Sequence, residues 1–160
     1  MIRPFSLPDA AGITTIYNHY VLHSIVTFEV EPVLPAEMEK QLTKSAKNFP
    51  CLVYENKGDI LGFAYAGKWK SRCAYRQSVE STIYVRHEHF RRGLGTLLYS
   101  ALLDELRKTD CHAVIGGISL PNPASVALHE KLGFRKVAHF REVGFKFNQW
   151  IDVGYWQLIV

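Results

Sequence analysis

The chain has 160 residues, of which 48% are hydrophobic and 21% are charged, so it is long enough and apolar enough to form one globular domain. This composition excludes a disordered chain. The formal charge of +4 favours an acidic ligand, but it is too small to indicate a nucleic-acid partner.

The sequence gives no sign of a membrane segment or of a disulfide framework. No apolar run approaches the roughly 20 residues that a membrane-spanning helix needs, and residues 1–4 lack the apolar core of a signal peptide. Cys51, Cys73 and Cys111 are far apart and form no Cys-x-x-Cys pair, which favours a reducing compartment. The histidines show no metal-ligand spacing. We therefore expect a cytoplasmic protein with no membrane partner and no bound metal.

The N-terminal part of the chain predicts a strand, two helices and a β-hairpin. Ile13 and Ile16 follow helical spacing in the first helix, and Met38 and Leu42 mark a weaker second helix. Gly58 supplies the positive φ that a tight hairpin turn needs. In chain order the elements are a strand over 2–5, a helix from residue 8, a helix that ends near 49–50, and strands over 51–55 and 60–69.

The stretch over residues 79–96 has the most informative pattern. Residues 79–85 alternate as a strand, which places Glu80, Thr82 and Tyr84 on one face. A carboxylate among apolar neighbours is costly unless the protein uses it. A basic loop follows, and an apolar helix then begins at Gly93 and Gly95. Such a turn exposes backbone N–H groups at the positive end of the helix dipole, and it therefore predicts a phosphate-binding site.

The C-terminal part predicts a strand, a helix and a second hairpin. Within the strand over 111–119, Gly116-Gly117 would let another group approach the backbone closely. Asn122-Pro123 is typical of an N-cap followed by a first-turn proline, and Gly133 ends that helix. The last two strands are expected over 134–147 and 150–158, joined at Asn148-Gln149.

This order of elements predicts a single α/β domain over residues 1–160, with one mixed sheet and helices on both faces. The central unit, a strand, a glycine turn, a helix and a strand, is a right-handed crossover, so residues 79–85 and 111–119 are expected to be parallel neighbours. The crevice at the carboxyl ends of that parallel pair is the natural place for a ligand.

The glycine turn and the later helix resemble the cofactor segments of a known enzyme family. Arg91-Arg92-Gly93-Leu94-Gly95, between a strand and an apolar helix, resembles the acetyl-CoA pyrophosphate loop of the GNAT N-acetyltransferases. Asn122, Ser125 and His129-Glu130-Lys131-Leu132-Gly133-Phe134 resemble the second cofactor segment of that superfamily. The resemblance implies acetyl-CoA as co-substrate, no metal, and a mostly antiparallel sheet with a parallel pair at the cofactor site.

Shorter motifs along nearly the whole chain resemble the phosphinothricin acetyltransferase branch, which includes enzymes that acetylate methionine sulfone and methionine sulfoximine. These motifs are Tyr17-Asn18-His19-Tyr20, Thr27-Phe28-Glu29, Ala74-Tyr75-Arg76, residues 79–82, Leu128-His129-Glu130, Gly144-Phe145-Lys146 and residues 150–154. The resemblance implies acetyl transfer to the α-amino group of a small amino acid or glutamate analogue, and herbicide resistance could accompany it. Members of the branch are typically dimers in which both subunits shape the acceptor pocket, so we expect a homodimer.

The resemblance assigns cofactor binding to ten residues. Backbone N–H groups in the glycine turn would hold the pyrophosphate, and the strand before it would pair with the pantetheine arm. Phe90 departs from the superfamily pattern, which has Gln or Arg there, because a phenyl ring cannot donate to a phosphate. For Arg91 a solvated surface position is an equal alternative, and for Asn122 a pure N-cap. The ten residues are Ile83, Tyr84, Val85, Arg91, Arg92, Gly93, Leu94, Gly95, Thr96 and Asn122.

The resemblance also implies the catalytic roles. Glu80 would be the general base, acting on the amine through water, with a structural ion pair to Arg72 or Arg76 as its alternative. Backbone N–H groups near Tyr84 and Val85 would stabilise the thioester oxygen as it gains charge. His129 stands where many superfamily members have a tyrosine acid, so it would protonate the leaving thiolate or relay a proton, with a purely structural histidine as the alternative.

Acceptor binding is assigned to the strand around Glu80 and to the loop before it. Arg72 is the best candidate to clamp an α-carboxylate with its guanidinium fork, and Phe28 would form a wall of the side-chain pocket. The residues of this set are Phe28, Lys70, Ser71, Arg72, Tyr75, Glu80, Ser81, Thr82 and Val153.

Two other functions remain open from the sequence. Acetylation of a protein or peptide amine would need an open groove, whereas Lys70, Arg72 and Tyr75 favour a closed site for a small anion. A CoA-binding sensor without turnover would need neither Glu80 nor His129.

Overall fold

The computed structural model describes residues 1–89 and 93–160, so the predictions at Phe90, Arg91 and Arg92 lie outside the described residues. The predicted order of strands and helices is confirmed. The bounds are β1 Ile2–Pro4, α1 Ala10–His23, α2 Pro35–Ala46, β2 Cys51–Asn56, β3 Asp59–Lys68, β4 Ser78–Val85, α3 Leu94–Leu106, β5 Ala113–Leu120, α4 Pro123–Lys131, β6 Arg135–Lys146 and β7 Gln149–Ile159.

The seven strands form one sheet in the order β1-β2-β3-β4-β5-β7-β6. Every neighbouring pair is antiparallel except β4 and β5, which are parallel, as the crossover between them predicts. The predicted mixed, mostly antiparallel sheet is therefore confirmed. None of the described helices is long and apolar enough to cross a membrane.

Helices cover both faces of the sheet, so the described residues have two hydrophobic cores. On one face α1 and α2 pack over β2 and β3, where Ile13, Leu42 and Phe63 are buried. On the other face α3 carries Leu98 and Leu102 onto the sheet, and α4 contributes partly buried residues to the same core. The apolar spacing of each helix explains this arrangement, since one stripe of each helix is removed from water.

The start of α1 is fixed by a pairing of Ser6 with Asp9. The Ser6 backbone N–H and hydroxyl donate to the Asp9 carboxylate at 2.8 and 2.9 Å, and the Arg3 guanidinium holds the same carboxylate with two bonds of 2.7 Å. This arrangement ties the first strand to the first helix, and it lowers the pKa of Asp9, chiefly through the Arg3 bonds.

Several boundaries differ from the sequence prediction by one or more residues, and two of these differences have a local reason. Helix α2 ends at Ala46, earlier than residues 49–50, because the chain turns at 47–49, where the N–H groups of Asn48 and Phe49 both donate to the Ser45 carbonyl. The tip of the β6–β7 hairpin is Phe147-Asn148, with φ of 51° and 58°, not Asn148-Gln149. The β2–β3 turn is confirmed, with φ of 51° at Lys57 and 89° at Gly58.

Candidate functional site

The parallel pair β4 and β5 separates partway along its length. Its paired residues run only from Ser78–Ala113 to Glu80–Ile115, although β4 continues to Val85 and β5 to Leu120. Among the described residues, the backbone of β4 beyond Glu80 pairs with a strand only on its β3 side. The open edge is at the carboxyl ends of the two strands, where the sequence predicts the crevice.

The hydrogen-bond pattern shows which backbone groups face this opening. The Trp69 N–H donates to the Ser78 carbonyl and the Arg86 N–H donates to the Leu61 carbonyl, so residues 78, 80, 82, 84 and 86 direct their backbone groups toward β3. The N–H groups of Ile83 and Val85 therefore face the opening. The Tyr84 N–H faces β3. Of the N–H groups near Tyr84 and Val85 that are predicted to stabilise the thioester oxygen, those of Ile83 and Val85 are therefore the ones that face the opening. The Val85 carbonyl accepts a hydrogen bond from the Tyr20 hydroxyl.

A cavity of about 920 Å³ fills the space between the separated strands. Most of the predicted site residues that the structure describes lie along it, from the start of α3 to α4 and the loop after α1. Those that line the cavity are Phe28, Glu80, Ser81, Thr82, Ile83, Tyr84, Val85, Gly93, Leu94, Gly95, Thr96, Asn122, His129 and Val153. A volume of this size is in the range of cofactor and substrate sites.

The start of α3 forms the cofactor end of the cavity. Gly93 has φ of 76° and precedes the first helical residue, a left-handed conformation that favours glycine. The first N–H group that bonds within the helix is that of Leu97, which donates to the Gly93 carbonyl at 3.1 Å. Within residues 1–89 and 93–160, no side chain caps this end. The N–H groups of Leu94, Gly95 and Thr96 are therefore available to an anion.

Asn122 both begins α4 and lines the cavity. Its Oδ1 accepts a hydrogen bond of 3.1 Å from the Ser125 N–H, so the predicted N-cap is present. The cap uses only the carbonyl oxygen of the side chain. The Nδ2 hydrogens remain for a pantetheine carbonyl, so the two predicted roles of Asn122 are compatible.

Glu80 lies midway along the cavity and is half-buried. Burial raises the pKa of its carboxyl group above the ordinary range, and the nearby Lys70 charge partly opposes that shift. Among the described residues no ion pair forms with Glu80, so its predicted alternative partners, Arg72 and Arg76, do not hold it. The carboxylate is available for chemistry in the cavity.

His129 is buried under β5 and held by a chain of hydrogen bonds. Its Nδ1 lies 2.8 Å from the Ser125 carbonyl oxygen, which can only accept, so Nδ1 carries the hydrogen. Its Nε2 then accepts from the Tyr99 hydroxyl at 3.1 Å, and the Tyr99 oxygen accepts from the Ser81 hydroxyl at 2.6 Å. Both ring nitrogens are engaged, and burial lowers the pKa of His129. The ring is a neutral acceptor in this arrangement and presents no free N–H to the cavity.

The glycine pair of β5 explains how these side chains fit. A Cβ atom at Gly116 would lie 2.4 Å from Nε2 of His129, and one at Gly117 would lie 3.2 Å from the Tyr155 ring. The predicted close approach to Gly116-Gly117 is therefore confirmed, and the groups that approach are side chains of this chain.

Five predicted acceptor residues have other surroundings than the sequence suggested. Ser81 faces α3, on the opposite side of β4 from Glu80, because its hydroxyl bonds Tyr99. The other four lie in the exposed loop between β3 and β4 and do not line the cavity: Lys70, Ser71, Arg72 and Tyr75. The Lys70 ammonium lies 4.9 Å from the centre of the Trp69 ring, and that ring contacts Tyr155 edge-on at 5.5 Å. The loop therefore approaches the cavity through Tyr155.

The sequence analysis missed a group of tyrosines that lines the acceptor side of the cavity. They are Tyr17, Tyr20, Tyr65 and Tyr155. The Tyr17 hydroxyl bonds the Thr27 hydroxyl at 2.7 Å. The available signal was the spacing of Tyr17 and Tyr20, which puts both rings on one helix face, on the side that packs against β4. Among the described residues no group of His, Cys, Asp or Glu side chains is arranged to hold a metal ion.

Comparison with known proteins gives consistent results. Residues 2–154 match the acetyltransferase (GNAT) domain family. The chain is 44% identical over 156 residues to a phosphinothricin N-acetyltransferase from Streptomyces viridochromogenes, covering 98% of this chain and 85% of that protein. It is 38% identical over 161 residues to an L-methionine sulfoximine/L-methionine sulfone acetyltransferase from Salmonella typhimurium, covering 98% and 92%. A phosphinothricin acetyltransferase from Sinorhizobium meliloti, solved with acetyl-CoA, superposes with a TM-score of 0.96 at 32% identity, covering 100% and 88%.

The hydrogen bonds of His129 predict its protonation state. Because its folded-state pKa is lowered, the ring should remain neutral, with the hydrogen on Nδ1, as pH falls through the ordinary histidine range near 6.5. Stability linked to this group is complete above that range and decreases as pH falls below it. Nitrogen-15 NMR of the histidine rings checks this prediction. A His129 ring that titrates normally, or that is protonated on Nε2 when neutral, would contradict it.

Proposed function

The chain belongs to the acetyltransferase (GNAT) domain family, and on that basis we propose that it transfers acetyl groups from acetyl-CoA to the α-amino group of a small amino acid or glutamate analogue. The observation that carries this proposal is the separation of β4 from β5 beyond Glu80 and Ile115. It brings a carboxylate, two free backbone N–H groups and an uncapped helix start to one cavity. Its relatives of known name act on phosphinothricin, methionine sulfoximine and methionine sulfone.

The described residues fit acetyl-CoA along the whole length of the cavity. Residues 94–96 offer their N–H groups to the pyrophosphate, and the open edge of β4 offers backbone partners to the pantetheine arm. Asn122 adds its Nδ2 hydrogens. When bound, acetyl-CoA supplies the activated acetyl group, and the reaction releases the free thiol. Arg91 and Arg92 stay predicted contacts of the same pyrophosphate.

Glu80 has the chemistry required of the base. An α-amino group has a pKa near 8 in peptides, so most acceptor molecules must lose a proton before the nitrogen can attack. The raised pKa of Glu80 makes its carboxylate a better proton acceptor at neutral pH, directly or through a water molecule. The N–H groups of Ile83 and Val85 donate to the thioester oxygen where negative charge develops.

The acceptor end combines one wall of the cavity with an exposed basic loop. Phe28, Thr82 and Val153 line the cavity near Glu80, where the side chain of the acceptor would lie. Lys68 ends β3 and the loop after it carries Lys70, Arg72 and Arg76, and none of the ion pairs found among the described residues uses these four side chains. Arg72 would bind the α-carboxylate, with Lys70, Ser71 and Tyr75 beside it. Such a site favours a small anion over a protein amine.

A second copy of the chain would complete the acceptor site. Val143, Phe145, Phe147 and Trp150 are each more than half exposed around the β6–β7 hairpin, and Phe145 contacts Trp150 with ring centres 5.0 Å apart. An apolar surface of this kind usually marks an interface. Val143 also lines the cavity, so a partner seated on the hairpin would reach the acceptor. We also infer a cytoplasmic location, in keeping with the unpaired Cys51, Cys73 and Cys111.

A substrate panel tests the proposed function directly. Purified protein with acetyl-CoA should release free thiol with methionine sulfone, methionine sulfoximine or phosphinothricin, and much less with a lysine peptide. The decarboxylated amine of methionine sulfone should show a higher KM if the α-carboxylate is bound. Faster turnover of the peptide would favour a protein acetyltransferase. Thermal stabilisation by acetyl-CoA without thiol release from any amine would favour a sensor.

Replacement of the base tests the role of Glu80. Glu80→Gln should reduce kcat by about 10²–10⁴, because the amide cannot accept the proton. In the unchanged enzyme kcat/KM should fall as pH decreases through the raised pKa of Glu80, and the variant should lose that dependence. Glu105→Gln, on the exposed side of α3, is the matched control and should behave as the parent protein. An unchanged pH profile in Glu80→Gln would remove Glu80 from this role.

Substitutions in the exposed apolar surface of the β6–β7 hairpin test the proposed dimer. Sedimentation should give a dimer for the parent chain and a monomer for the double variant Phe145→Ser/Trp150→Ser, because these rings form the centre of the exposed patch. The monomer should have a raised acceptor KM and a nearly unchanged acetyl-CoA KM. A parent chain that sediments as a monomer while fully active would refute the dimer.

A further inference from the structure

Strand β6 is an exposed edge strand with two buried exceptions. Of the residues in Arg135–Lys146, only Gly144 and Lys146 are buried. A lysine is among the residues least expected at such a position, since its charge loses water there. The segment over 24–28, which follows α1, covers both residues.

The Lys146 ammonium group binds this segment through the backbone. Its Nζ donates to the Ser24 carbonyl and to the Thr27 carbonyl, each at 2.8 Å, and the residue is only 4% exposed. Ser24 is the C-cap that follows the last residue of α1, so the ammonium group lies near the negative end of the helix dipole. Two carbonyl oxygens thus replace the water that the ammonium loses, and they fix the segment to β6.

Gly144 is required by the ring of Phe28. A Cβ atom at position 144 would lie 2.3, 2.5 and 2.9 Å from three carbons of that ring. Carbon atoms in contact are about 3.5–4.0 Å apart, so any larger residue must displace the ring by about 1 Å or more. Phe28 also lines the cavity, and therefore the backbone of β6 sets the position of that part of the wall.

The segment is held on its inner side as well. The Tyr17 hydroxyl bonds the Thr27 hydroxyl at 2.7 Å, and the Tyr84 hydroxyl donates to the Val26 carbonyl at 3.5 Å. Both tyrosines line the cavity. The segment is therefore held between the tyrosines on one side and β6 on the other, which makes it a fixed wall.

We propose that Gly144 and Lys146 are positioning residues that determine acceptor specificity, by setting where Phe28 stands in the acceptor pocket and so which side-chain length the site accepts. Neither residue touches the reacting atoms. The proposal rests on the proposed function, because it needs an amino-acid acceptor whose side chain lies against Phe28.

The first test changes the glycine. L-Methionine sulfone and S-methyl-L-cysteine sulfone differ by one methylene, and their kcat/KM ratio measures the length preference. Gly144→Ala should shift the ratio of methionine sulfone to S-methylcysteine sulfone by about tenfold. The ratio should fall if the Phe28 ring moves into the cavity and shortens the pocket, and it should rise if the ring moves out of the cavity. In a Phe28→Ala background the same substitution should leave the ratio unchanged, because the displaced ring is gone. An unshifted ratio, or a shift that persists without Phe28, would overturn the proposal.

The second test changes the lysine. Lys146→Met keeps an unbranched side chain as far as the ε carbon but removes the ammonium group and its donors, so the methionine sulfone KM should rise by about tenfold. The acetyl-CoA KM and kcat should stay within about twofold, a split that general destabilisation would not produce. Lys136→Met, at an exposed position on the same strand, is the control and should change neither constant. Equal losses in kcat and in both KM values would overturn the role of Lys146.

The outcomes separate this inference from the proposed function. If the parent protein acetylates no amino acid, the proposed function itself has failed. If the parent turns over both sulfones and Gly144→Ala leaves their ratio unchanged, only the specificity role has failed. If Lys146→Met does not fold, the Gly144 and Phe28 variants still decide the outcome.

Discussion

The site depends on one constraint: the ladder between β4 and β5 must stop at Glu80 and Ile115 while both strands continue. A backbone edge left without a strand partner is costly when buried, and it is therefore a place where a ligand can bind. The same interruption leaves Glu80 beside that edge, so the proposed cofactor binding and the proposed proton removal share one opening in the sheet. A longer ladder would stabilise the sheet and close the cavity.

The separated strands are supported by polar contacts beneath them. The bonds from Ser81 through Tyr99 to His129 join β4, α3 and α4 on the side of the sheet opposite Glu80. Gly116 admits the His129 ring against β5, which brings α4 close to the cavity. A buried network of this kind is stable only when every polar group in it has a partner. The Ser125 carbonyl completes the network because it accepts the hydrogen bond from Nδ1 of His129. Because Nδ1 of His129 donates to that carbonyl, Nε2 carries no hydrogen and accepts the hydrogen bond from Tyr99.

The sequence predicts the features that follow from local backbone geometry better than those that depend on contacts between distant side chains. Alternation placed Glu80 and Ser81 on opposite faces of β4, and the two glycines of the turn located the start of α3, because both follow from local geometry. The acceptor pocket could not be found this way. Lys146 binds the Ser24 carbonyl and Gly144 contacts the Phe28 ring, and in each pair the residues are more than a hundred positions apart in the sequence. No local sequence pattern predicts such contacts. The loop with Arg72 was predicted by motif, and in the single chain it stays outside the cavity lining.

This division between backbone and side chains has a chemical consequence. In the proposed binding mode, the partners of the diphosphate and pantetheine on α3 and β4 are N–H and C=O groups, which almost any sequence with the fold supplies. The proposed acceptor wall depends on the Phe28 ring, on the Tyr17 hydroxyl that holds the segment of Phe28 through Thr27, and on the contacts of β6, and each of these requires one particular residue. Substitutions can therefore change which amine enters while acetyl-CoA binding stays the same. A fold arranged in this way keeps one reaction and allows its acceptor to vary.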